Sequence, residues 1–104
     1  MESFGAYTSR TNGTAVVSVR GDLDLYTAPR LWETIDQAIA EVPRQLVVDL
    51  SSVRFVDSTG LSVLVRAQKR LRPIEGNVVV RGANERVSMT LQLTKLNTVL
   101  TVER

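Results

Sequence analysis

Apolar and polar residues alternate along this chain with two different periods, and the changes of period mark out its elements. Ala15 to Arg20 reads AVVSVR, a β-branched run that predicts a strand. Asn12-Gly13 just before it is a hairpin turn signal, which pairs the strand with Tyr7–Arg10. Gly21 ends the strand, and Asp22-Leu23-Asp24 forms a polar loop. From Thr27 the period becomes helical. Ala28, Leu31, Trp32, Ile35, Ala38, Ile39 and Val42 fall on one stripe, and Pro29 lies in the first turn, where a missing N–H costs nothing. Pro43 stops the helix.

Leu46 to Leu50 reads LVVDL, apolar on both faces, as suits a strand inside a sheet. Leu46, Val48 and Leu50 share one face and are expected to pack under Leu31, Ile35 or Ile39. A second helix opens at Asp57-Ser58-Thr59-Gly60, carries Leu61, Leu64, Val65 and Leu71 on one face, and ends before Pro73. Gly76-Asn77 turns the chain into the strand Val78–Val80. Asn84 is placed to cap a third helix that faces Val87, Leu91 and Thr94 inward. Val99 to Val102 makes a last strand. The order β-β-α-β-α-β-α-β predicts an α/β fold: a mixed β-sheet of four to five strands with three or more helices and right-handed crossovers. With no repeat, linker or low-complexity segment in 104 residues, a single domain over residues 1–104 is expected.

Composition narrows the function. Hydrophobic residues make up 43% and charged residues 23%, an ordinary soluble balance. No apolar run approaches the roughly 20 residues of a membrane span, and Met1–Arg10 lacks the apolar stretch of a signal peptide, so a cytoplasmic protein without a membrane partner is expected. Cysteine is absent, which excludes a disulfide framework and a Cys-based metal site. Histidine is absent too, which argues against zinc sites and most general acid–base catalysis. The net charge is +2, and the densest basic stretch, Arg66 to Arg72, holds four cations at a helix end, where they complement the dipole. That is no nucleic-acid footprint, and no G-x-x-x-x-G-K loop signals a nucleotide cofactor. The expectation is a non-enzymatic module with no cofactor and no metal.

The candidate chemistry lies in Asp57-Ser58-Thr59-Gly60. A helix N-terminus exposes unpaired N–H groups and a partial positive charge, a good place for an anion such as a phosphate on Ser58. Gly60 keeps the first turn free of side-chain bulk. Asp, Ser and Thr are also the favoured N-cap residues, so capping alone explains the same letters. A nucleophilic serine needs a base, and Lys69 lies about three turns along the helix, too far to serve.

Two segments carry a family resemblance. GDLDLYTAPRL, Gly21 to Leu31, resembles the G-(D/E)-L-D-x-x-T-A-x-x-L element of STAS domains, specifically of the stand-alone bacterial anti-sigma factor antagonists. LVVDLSSVRFVDSTGL, Leu46 to Leu61, resembles their strand, loop and phosphorylatable D-S-(S/T)-G-(L/I) motif, and NVVVRG and Leu96–Leu100 fit the C-terminal third. The resemblance implies partner switching. Such an antagonist, unphosphorylated, binds an anti-sigma factor that is itself a GHKL-type serine kinase, which frees a sigma factor. Phosphorylation breaks the complex, and a PP2C-type phosphatase restores it. Carried over by position, Ser58 is the phosphoacceptor and Asp57 its acidic neighbour. Asp22 and Asp24 lie in the adjoining loop, and Thr59, Gly60 and Leu61 complete the partner-binding motif. Asp22 and Asp24 also read as solvated turn residues, and Thr59 as a competing acceptor. The alternative function is a STAS module in a stress-signalling scaffold or a nucleotide-binding sensor. One departure stands out: many members have Gly where this chain has Lys95. Because a left-handed cap is unfavourable for a residue with a side chain, the end of the third helix is expected to differ locally.

Overall fold

The computed structural model describes residues 3–103. Strands β1 (Gly5–Thr11) and β2 (Thr14–Arg20) form an antiparallel hairpin, with Asn12 and Gly13 both at positive φ in the turn. Helix α1 (Ala28–Ala40) leads to β3 (Gln45–Ser52), helix α2 (Ser58–Leu71) to β4 (Asn77–Arg81), and helix α3 (Glu85–Leu93) to β5 (Thr101–Glu103). The sheet order is β1-β2-β3-β4-β5, with every pair after the first parallel. Each crossover advances one strand in the same direction. Connections of one hand therefore lay all three helices on one face of the sheet.

That face holds the core. Ala15, Val17 and Val19 of β2, Leu46, Val48 and Leu50 of β3, and Val78 and Val80 of β4 are buried on it with Leu31, Ile35 and Ala38 of α1. Leu64, Ala67 and Leu71 of α2 and Val87 and Leu91 of α3 close the same cluster. Val47 and Val79 alternate onto the opposite face. The predicted element order is what the chain adopts, but α1 seats over β1 and β2, and Leu46, Val48 and Leu50 of β3 join it only as members of the same core. Strand β5 has only three residues, and its pairing begins at Val79–Thr101. The N–H of Val78, one residue earlier, instead donates to the side-chain oxygen of buried Gln68 at 2.8 Å. A backbone group that would be stranded at the end of the ladder thus has a partner.

Several local expectations are corrected. Val42 does not extend the α1 stripe; it lies beyond the helix, 65% exposed, at φ 54°. Val65 is half-buried, and Thr94 is exposed, its hydroxyl donating to Thr90 O at 2.8 Å. The last strand begins at Thr101, because Leu96–Thr98 form a 3-10 turn that uses up the preceding residues. Lys95 does not change the end of α3: it takes the left-handed conformation itself, φ 60° and ψ 18°, and its N–H donates to Gln92 O at 3.0 Å. Val42 and Glu75 also close helical segments at positive φ. Each such residue stores roughly 1–2 kcal/mol of backbone strain that glycine would not.

Two outcomes follow from this packing. Ile35 is fully buried, so Ile35→Ala should cost about 2–5 kcal/mol in urea unfolding; a loss below about 1 kcal/mol would show that α1 does not seat on the sheet through this residue. Val42 is β-branched, exposed and left-handed, so Val42→Gly should raise stability by about 1 kcal/mol, the relief of strain outweighing the added freedom of the unfolded chain. An unchanged or lowered urea midpoint would show that no strain is stored there.

Candidate functional site

The site forms where the loops leaving the C-terminal ends of β2 and β3 meet, the edge at which open α/β sheets place their binding residues. A register shift between Ser18 and Arg20 ends the regular pairing of β2 with β3, but the two chains stay joined. Leu23 N donates to Phe55 O at 2.9 Å, Asp57 N donates to Leu23 O at 3.0 Å, and Leu23 and Val56 form a parallel bridge. The Leu23 side chain points inward and is fully buried. Gly60, in the first turn of α2, sits directly on it: a Cβ at Gly60 would lie 2.5 Å from Leu23 Cγ. Glycine is therefore required for close approach, and that approach carries the polar loop up against the helix start.

The motif residues divide the work among themselves. Asp57 is the N-cap of α2; its backbone is extended and its carboxylate accepts from Gly60 N at 3.0 Å. Ser58 is the first helical residue and is exposed. Its carbonyl accepts from Ser62 Oγ at 2.9 Å, while its own hydroxyl has no hydrogen-bond partner among the described residues. Thr59 is half-buried and lines a groove between α1 and α2 with Leu25 and Trp32. Leu61 is only 3% exposed and joins the core, so it floors the surface beside Ser58 instead of standing on it.

The two loop acids differ. Asp22 approaches Arg54 at 4.0 Å, both side chains largely solvated, an arrangement worth little. Asp24 is used within its own loop. Its carboxylate accepts from Tyr26 N at 2.9 Å and Thr27 N at 3.0 Å, and its N–H donates to Thr27 Oγ1 at 2.9 Å. Thr27 Oγ1 in turn donates to Asp22 O at 2.8 Å. The predicted helix-opening Thr27 makes no side-chain cap bond to its own helix; it locks the loop instead. The fold thus brings Asp22, Asp24, Asp57, Ser58, Thr59 and Gly60 to one edge, with Asp24 and Asp57 holding backbone and Ser58 free.

This lock also displays two side chains of the 22–26 loop that the sequence did not single out. Leu25 and Tyr26 are 62% and 84% exposed at the loop tip. The signal was available: an apolar pair between the polar residues Asp24 and Thr27. Along α2 the surface is bordered by two grooves that share Ser62 and Arg66. One, of about 360 Å³, lies against α1; the other, of about 420 Å³, runs from Ser58 to Lys69 and is walled on its far side by Thr94 and Leu96. Arg66 lies over the Trp32 ring at 3.9 Å, and Arg70 pairs with Asp36 at 3.2 Å. Trp32 is accordingly half-buried between the helices and not wholly in the core. Asn84 caps α3 by accepting from Val87 N at 2.8 Å, and its amide donates to Val53 O and Arg54 O, which ties α3 to the loop entering the motif. Among the described residues no cluster of three or more acids could hold a metal ion, and no helix is long and apolar enough to cross a membrane.

A sheet with one antiparallel and three parallel pairings, helices on one face, and a serine freed at a helix start beside a locked acidic loop define a small α/β module. Residues 7–102 match the family described as Mlab, STAS domain, and the chain belongs to that family. It is 41% identical over 73 residues to the anti-sigma-F factor antagonist of Mycobacterium tuberculosis, an alignment covering 69% of this chain and 60% of that protein. It is 32% identical over 87 residues to the anti-sigma-B factor antagonist of Listeria monocytogenes, covering 84% of this chain and 76% of that one. The crystal structure of an anti-sigma factor antagonist from Mycobacterium paratuberculosis superposes with a TM-score of 0.82 at 36% identity, over 96% of this chain and 85% of that chain.

The contact between Gly60 and Leu23 generates a test. Gly60→Ala should destabilise the protein by about 1–3 kcal/mol by overpacking against Leu23, and in NMR spectra it should shift the amides of Leu23 and Asp57 together. A variant as stable as the parent, with those amides unmoved, would show that the loop and helix are not in contact.

Proposed function

We propose that this chain is a cytoplasmic anti-sigma factor antagonist, itself no enzyme, whose grip on its partner is broken by phosphorylation of Ser58. The observation that carries the reading is the split between capping and display. Asp57 already satisfies the N-terminus of α2, so Ser58 is not needed as a cap, and its hydroxyl stands exposed at the positive end of the helix. Thr59, half-buried in a groove, is the poorer acceptor. The names of the mycobacterial and listerial relatives support an anti-sigma factor as partner. Under this reading the partner is a GHKL-type serine kinase that phosphorylates Ser58, and a PP2C-type phosphatase resets it.

The switch follows from electrostatics. Phosphorylation adds about −1.5 to −2 charges and three acceptor oxygens. The helix start tolerates that charge, so the fold should persist. A partner surface fitted to a neutral hydroxyl does not: burying a dianion beside Asp57 without a matching cation costs several kcal/mol. About 4 kcal/mol lowers affinity roughly a thousandfold. The partner surface takes in the 22–26 loop and the start of α2, with Leu25 and Tyr26 as its exposed apolar tip.

The test is incubation with candidate anti-sigma kinases and ATP, followed by mass mapping of the modified residue. Ser58→Ala should bind the kinase at least as well as the parent and resist modification. Ser58→Glu should fold normally and bind poorly. Full phosphorylation of Ser58→Ala would move the acceptor elsewhere, Thr59 first, and tight binding by Ser58→Glu would show that charge at this position is not the switch.

A further inference from the structure

The groove between α2 and the end of α3 has a composition that the phosphorylation reading does not account for. Ser58 stands at one end of it, and Arg66 and Lys69 line the other. Between them its floor and walls are apolar, from Leu61, Val65 and Leu96. No lining residue is acidic, and α2 from Ser58 to Leu71 contains no Asp or Glu at all. The cations are not all spent within the molecule. Arg66 is stacked on Trp32, but Lys69 has no ion-pair partner among the described residues.

The geometry points to this groove as the dock for an acidic, apolar-studded segment of the partner protein, with its leucine-type side chains on Leu61, Val65 and Leu96 and its carboxylates at Arg66 and Lys69. Charge complementarity selects that occupant: a basic segment would meet two cations with no acid in the lining to offset them, and a purely apolar one would leave the Lys69 ammonium facing it. The inference deepens the function proposed above and rests on it for the partner's being a protein. Ser58 is part of the same groove, so a phosphate there must lose solvent when the segment seats. Lys69 lies roughly 16 Å further along the helix at 1.5 Å per residue, beyond a Debye length of about 8 Å. The phosphate therefore does not neutralise Lys69, and the two charges act on the partner independently.

The experiment uses a synthetic amphipathic peptide with leucines on one face and glutamates along its flanks, a lysine-for-glutamate version of it, and phosphatidylserine vesicles, each titrated into the isotopically labelled protein. The glutamate peptide should shift the amides of Ser62, Val65, Lys69 and Leu96, and the lysine peptide should not. Lys69→Glu should weaken the glutamate peptide roughly fivefold to tenfold, with the loss shrinking at high salt. Arg10→Glu, on β1, should leave binding unchanged. Ser58→Glu should weaken it further, by a factor that multiplies with that of Lys69→Glu. Equal binding of both peptides, shifts confined to other surfaces, no binding, or Lys69-dependent binding of vesicles in place of the peptide would overturn the proposal. None of these readouts needs a kinase, so the groove stands or falls apart from phosphorylation of Ser58.

Discussion

The contact between the side chain of Leu23 and the bare Cα of Gly60 is the constraint on which the site depends. Leu23 belongs to a loop that would otherwise float beyond the end of β2. Its backbone bonds to Phe55 and Asp57 and its buried side chain pin that loop to the segment entering α2. The arrangement closes only because Gly60 has no Cβ, since one would lie 2.5 Å from Leu23 Cγ. From that contact follow the position of Asp57 over the helix start, the nearness of the acidic loop to Ser58, and the outward thrust of Leu25 and Tyr26.

Upon that base the polar residues separate into those that hold backbone and those that face solvent. Asp24 and Asp57 both satisfy N–H groups at places where the chain turns into a helix, each a contribution of about 1 kcal/mol. Their carboxylates are thus fixed, and under the proposed function a partner would meet them as a rigid field rather than as adaptable groups. Ser58 is the exception: it lies within the helix start and takes no part in capping it. A hydroxyl that stabilises nothing can be modified without unfolding anything, which is the physical requirement for a reversible switch on a small domain.

The molecule carries strain in its helix ends. Val42, Glu75 and Lys95 all adopt left-handed conformations that glycine would adopt freely. At Lys95 the left-handed residue joins α3 to the 3-10 turn of Leu96–Thr98. Strain of roughly 1–2 kcal/mol there is small against the burial of a core that takes in all three helices and both β2 and β3.

The sequence by itself determined the order of elements, because the strand and helix periods are well separated and proline, glycine and Asn-Gly mark their ends. It also marked the candidate serine, through the resemblance of Asp57-Ser58-Thr59-Gly60 to the phosphorylatable motif of STAS antagonists, since capping alone explains the same letters. What sequence left open was which of Asp57, Ser58 and Thr59 caps the helix, as all three types are good caps. Only the tertiary structure decided this, through the hydrogen bond from Gly60 N to Asp57 and the groove that receives Thr59. It alone also showed that Val42 leaves its helix and that Lys95 takes a left-handed turn of the kind usually made by glycine. Periodicity reports which face of an element is apolar. It does not report how close another segment comes to that face, and at this site it is the closeness of Leu23 to α2 that sets which side chains are spent and which are free.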